Sequence, residues 1–183
     1  MSERLPTKKR VTKAPARKAS ARGLRASGVP ELVAKILQGY ADRGVFRGFH
    51  AGAPANGKAV YQMIWHYDRR FELLLDTAKK TLRFPALLPA VDAEMYAALR
   101  QFLAERQSGA LPPHRSVDPA RARLGAAIRG GTVSLGITSR DGDFEYAARR
   151  LILVAHEIFL GFLSDGPYFE YLVEHLGLDP DRY

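Results

Sequence analysis

The sequence predicts an α+β protein: a mostly antiparallel sheet of about five or six strands with helices packed on it, in the order α-β-β-β-(β)-α-β-β-α-α. Three observations predict it. Short runs of period two or high β-propensity are separated by turn residues, the signature of hairpins rather than crossovers. Apolar stripes at helical spacing stand before, between and after those runs. The chain has 183 residues, 46% of them hydrophobic, enough for one core and an extension.

Taken in order, Ser27-Gly28-Val29-Pro30 marks a border, with proline suited to a first helical turn. Leu32, Val33, Ile36, Leu37 and Tyr40 share one helical face, and Gly44 stops the helix. Val45 to His50 reads as a short strand and Ala51 to Lys58 as a loop rich in Gly, Pro and Asn. Ala59 to Tyr67, Phe71 to Asp76 and Thr81 to Phe84 read as strands, and Thr77-Ala78-Lys79-Lys80 turns between the last two. Pro85 and Pro89 are expected to end the regular pairing. Asp92 is placed to cap a helix whose stripe is Met95, Leu99, Phe102 and Leu103. A long loop, 108–121, carries Pro112, Pro113 and Pro119. Leu124, Ala126 and Ile128 alternate, as do Val133, Leu135 and Ile137, with Gly130-Gly131 as the hairpin turn between them. Asp141-Gly142-Asp143 introduces the strongest helix, whose face runs from Phe144 to Phe162. Asp165-Gly166-Pro167 breaks it, and a short helix from Tyr168 to Leu176 ends at Gly177.

The formal net charge of +9 is unevenly spread. Nine of the 28 basic residues precede Pro30: Arg4, Lys8, Lys9, Arg10, Lys13, Arg17, Lys18, Arg22 and Arg25, against Glu3 alone. That leaves 19 basic and 18 acidic residues for the rest. The expected organisation is a disordered basic arm, residues 1–29, and a single nearly neutral domain, residues 30–183. The arm has too few large apolar residues to offset its ordering entropy. It offers a mobile polycation suited to nucleic acid, to an acidic protein, or to transit-peptide use. It contains no aromatic residue, so it has no platform for stacking bases. Its candidate anion-binding residues are Lys8, Lys9, Arg10, Lys13, Arg17, Lys18, Arg22 and Arg25. Cysteine is absent, which excludes disulfides, thiolate catalysis and Cys-ligated zinc, and fits a reducing, cytoplasmic setting. No apolar run approaches the roughly 18 residues needed to span a bilayer.

Phe71-Glu72-Leu73-Leu74-Leu75-Asp76, its turn, Leu82-Arg83-Phe84-Pro85-Ala86-Leu87-Leu88-Pro89, and Val133-Ser134-Leu135-Gly136-Ile137 leading to the helix from Phe144 form an arrangement. It resembles the YbjN family of bacterial sensory transduction regulators, whose domain has the type III secretion chaperone-like fold. The resemblance spans about residues 30–165 and rests on element order. It implies a protein-binding or regulatory module without catalysis, commonly dimeric. The basic arm and the last helix depart from that pattern.

No reactive set is complete. Gly52 to Lys58 nearly matches a phosphate-binding P-loop, but Ala59 stands where the Mg²⁺-holding hydroxyl belongs and a strand follows in place of a helix. His156-Glu157 has Leu160 where a zinc protease has its second histidine, and His50, His66, His114 and His175 are scattered. Ser134 lacks the glycine two residues before it that a nucleophile elbow needs. Asp141 with Asp143, and Asp179 with Asp181, sit in turn-like sequence and read as caps. Tyr61, Trp65 and Tyr67 share one strand face, which is expected to be core. The expectation is therefore no catalytic residue, no cofactor and no metal, with a protein partner, a possible homodimer, or nucleic acid held by the arm.

Overall fold

The computed structural model describes residues 28–182. Residues 1–27 of the arm, with its eight candidate anion-binding residues, lie outside the described residues. The elements are α1 (Val29–Asp42), β1 (Arg47–Ala51), β2 (Lys58–Trp65), β3 (Arg69–Asp76), β4 (Thr81–Leu88), α2 (Ala93–Glu105), β5 (Ala122–Arg129), β6 (Thr132–Ser139), α3 (Phe144–Glu157) and α4 (Phe169–Leu176). The six strands form one antiparallel sheet in the order β1-β2-β3-β4-β6-β5.

Alternation along the strands divides the sheet into two faces. Tyr61, Met63 and Trp65, then Phe71, Leu73 and Leu75, then Leu82 and Phe84, then Val133, Leu135 and Ile137 are all buried. They meet Val33 and Leu37 of α1, Leu99 of α2, Leu151 and Val154 of α3, and Ile158 just beyond it, in one core. Full burial of each large side chain here contributes about 1.5–3 kcal/mol. The intervening residues stay exposed or half-buried, so among the described residues nothing covers the second face. Antiparallel sheets tolerate that arrangement because their hairpins need no crossover helix.

Local chemistry sets the boundaries. The Asp92 carboxylate accepts from the Met95 N–H at 2.7 Å and the Asp143 carboxylate from the Tyr146 N–H at 2.9 Å, starting α2 and α3. Gly130 and Gly131 both take positive φ between β5 and β6, as a tight hairpin requires. The α3 helix continues as a π-helical turn, Ile158–Ser164. A Cβ at Gly166 would strike the Phe162 carbonyl, so only glycine lets the chain leave there.

Helix α1 starts at Val29, which is buried. Two expectations are corrected. Pro85 does not end its strand: β4 runs to Leu88, and a register shift against β6 between Phe84 and Leu88 absorbs the missing N–H. Tyr67 leaves the strand, because β2 stops at Trp65 and the chain turns through Tyr67 and Asp68 at φ 55° and 54°.

Candidate functional site

The uncovered face carries a trough of about 730 Å³. Strand register explains its make-up. One cross-strand row runs Lys58, Asp76, Thr81, Thr138, Arg123, and the next runs Val60, Leu74, Arg83, Gly136, Gly125. The floor is aliphatic or bare: Val60 is 38% exposed, Leu74 is half-buried, and a Cβ placed on Gly125 would meet nothing within 4 Å. Lys79 leans in from the β3–β4 turn, whose backbone is fixed by the Lys79 N–H donating to the Asp76 carboxylate at 3.0 Å.

Four cations line this trough: Lys58, Lys79, Arg83 and Arg123. Among the described residues none of them is in an ion pair, whereas Arg47, Arg106, Arg115, Arg121 and Arg149 each have a carboxylate partner. Among the described residues Asp76 is the one carboxylate lining the trough. The trough therefore presents unneutralised positive charge around an apolar floor, in a domain that is nearly neutral as a whole. Such a surface attracts anionic groups over about a Debye length, roughly 8 Å at physiological salt.

A second cleft, about 1170 Å³, opens between the β2–β3 turn, the α1–β1 connection and the end of α3. At its base the His156 Nδ1 and His66 Nε2 atoms are 3.1 Å apart. Aromatic rings fix both imidazoles: Trp65 stacks on His156 at 5.9 Å and 7°, and Phe159 on His66 at 4.2 Å and 21°. Burial holds the His66 imidazolium down at about 3, with His156 adding to the shift. Burial also lowers His156, against the pull of Glu157. Both rings are thus neutral at pH 7, and one N–H donates to the other ring's lone pair. Nitrogen atoms at this spacing could also chelate one ion, yet among the described residues no group of three or more metal-ligating side chains is assembled.

The sequence motifs resolve into structural roles. The P-loop-like segment is the β1–β2 hairpin, in which Ala55 bridges Lys58 and Asn56-Gly57 turn at φ 51° and 72°. Glu157 is no helix-face bystander: its carboxylate, 13% exposed, bonds Arg106 at 3.1 Å and Arg115 at 3.0 Å. Ser134 donates to the Ala127 carbonyl at 3.3 Å on the uncovered face. Asp141 accepts from the Asp143 N–H at 2.9 Å, and both carboxylates take Arg121. Tyr61 and Trp65 are core, as expected. The trough residues gave no motif, because strand alternation marks a polar face without revealing that it stays uncovered. The His66–His156 contact spans 90 positions, and only the fold joins them.

No family model, curated protein or solved structure matches the chain. Among the described residues no helix is long and apolar enough to cross a membrane.

Proposed function

We propose that this protein is a non-catalytic binding module that holds an anionic partner on the open face of its sheet, with the arm as a second cationic contact. The observation that carries the reading is the set of four cations around the trough that form no ion pair among the described residues. The resemblance of element order to the YbjN and secretion-chaperone-like domains supports a protein-binding or regulatory role. A pull-down with the full chain as bait tests it, run with and without nuclease, against the variant Arg83→Glu/Arg123→Glu. Partners retained by the wild type are expected to be lost from the variant. Identical retention by both baits would remove the trough as the site.

A second reading, nucleic-acid association through the arm, is favoured by nine basic residues before Pro30. With all of them engaged on duplex DNA, log affinity against log salt would fall with a slope of roughly −8. A flat salt response would dismiss this reading.

A further inference from the structure

From the chemistry of the trough we infer that its occupant is an acidic polypeptide segment carrying aliphatic side chains among its carboxylates. The inference rests on the cationic-face reading above and names the class of partner. Three features of the site favour polypeptide over nucleic acid. Among the described residues the lining contains no aromatic side chain, so bases have nothing there to stack on. The floor is instead aliphatic at Val60 and Leu74 and bare backbone where Gly136 and Gly125 pair across adjacent strands, with Arg83 between the two parts. A leucine- or valine-sized group can seat on the bare backbone at Gly125 and Gly136, and another can cover Val60 and Leu74. Finally, Asp76 lies inside the cationic ring, in register with Lys58. A carboxylate in that place opposes the unbroken charge of a phosphodiester track, whereas a polypeptide can set a main-chain N–H or an uncharged side chain against it and keep its own carboxylates for the cations.

The spacing supports the same occupant. Lys58 and Arg123 stand at opposite ends of one cross-strand row, four strand spacings or about 19 Å apart, with Arg83 between them in the adjoining row. Carboxylates on both sides of a central apolar residue can reach the cations at the ends and the one in the middle. The chain's own arm is an unsuitable occupant, because it is as cationic as the trough. Its charge instead attracts the same acidic partner from a distance.

Fluorescence anisotropy on the full chain and on Arg83→Glu/Arg123→Glu tests the inference. Both side chains are exposed, and far-UV circular dichroism checks that the variant keeps its fold. The arm is identical in the two proteins, so it contributes equally to each. The probes are a short labelled peptide of leucines interspersed among glutamates, an all-glutamate peptide of equal length, and oligo-dT and oligo-U strands. The mixed peptide is expected to bind more tightly than the all-glutamate peptide and to lose about tenfold or more in the variant, while the oligonucleotides change little. Equal binding of the two peptides would overturn the inference, since the apolar floor would then have no role. If only the oligonucleotides weaken, the cationic face stands as a binding site and the polypeptide assignment falls. If no probe weakens, the reading of the face falls with it. Self-association of the wild type that the variant abolishes, measured by sedimentation, would place a second copy in the trough and also overturn the inference.

Discussion

The side-chain amide of Gln107 takes both main-chain groups of Leu124: its Oε1 accepts from the Leu124 N–H at 2.9 Å and its Nε2 donates to the Leu124 carbonyl at 3.2 Å. Leu124 lies in β5, which pairs with β6 on one side and forms an edge of the sheet. The amide therefore stands where the peptide group of a seventh strand would be. Two residues on, the Tyr96 hydroxyl donates to the Ala126 carbonyl at 3.1 Å. Two side chains of α2 and its C-terminal turn thus occupy a row of main-chain groups that would otherwise invite another strand.

Gln107→Leu keeps the volume and removes both bonds. It is expected to cost about 1–3 kcal/mol, read as a lower midpoint in urea. The variant is also expected to self-associate through β5, measured by light scattering over a concentration series. A variant as stable and as monodisperse as the wild type would show that the amide does not guard the edge.

The paired imidazoles make stability fall with acid. Their folded-state pKa values are depressed below the ordinary 6.5, to about 3 for His66. The unfolded chain therefore binds these protons first as pH drops. The stabilisation is complete above about pH 6.5 and is lost as pH falls toward the folded values, by at most about 1.4 kcal/mol per pH unit for each ring. Denaturation midpoints between pH 7 and 5 should decline less steeply in His66→Gln than in the wild type. Parallel slopes would mean that the pair does not carry the dependence.

The Glu157 carboxylate neutralises Arg106, whose side chain is 7% exposed and whose guanidinium lies 3.3 Å from the Phe102 ring centroid. It also holds Arg115 of the long proline-containing loop, which Arg150 secures from α3 by donating to the Pro113 and His114 carbonyls. Glu157→Ala leaves the buried guanidinium only the more distant, exposed Glu105 at 3.6 Å and should cost about 3 kcal/mol. Replacing Glu157 and Arg106 together by leucine and methionine should recover much of that loss. Equal stability of the single variant and the wild type, by thermal unfolding, would refute a structural role for the hub.

What was legible in the sequence was local. Asp92, Asp143 and Gly130-Gly131 act within a few residues of themselves, so their side-chain chemistry and backbone freedom announced two helix starts and a hairpin. Period two likewise separated Val133, Leu135 and Ile137 from their outward neighbours. Pro85 misled because its missing N–H predicts a strand end, whereas a shift of register lets β4 continue. The trough and the histidine pair depend on the strand order, which sets β5 outside β6 and brings His66 to His156. Residue spacing along the chain carries no record of that order.

The hairpin that imitates a P-loop offers a final test of structure against motif. Gly57 sits at φ 72°, its carbonyl accepts from the Thr77 N–H at 2.9 Å, and a Cβ added to it would strike the Thr77 hydroxyl oxygen. The glycine thus lets two turns at one end of the sheet, β1–β2 and β3–β4, approach each other beside Lys58 and Lys79 of the trough. Gly57→Ala should lose about 1 kcal/mol to backbone strain and a further loss to the clash with Thr77. In a Thr77→Ala background the second part should vanish, because the oxygen is gone, leaving only the strain. A double-mutant cycle by urea denaturation measures the difference. Additive losses would show that the two turns do not meet through these residues, and that the glycine serves its own turn alone.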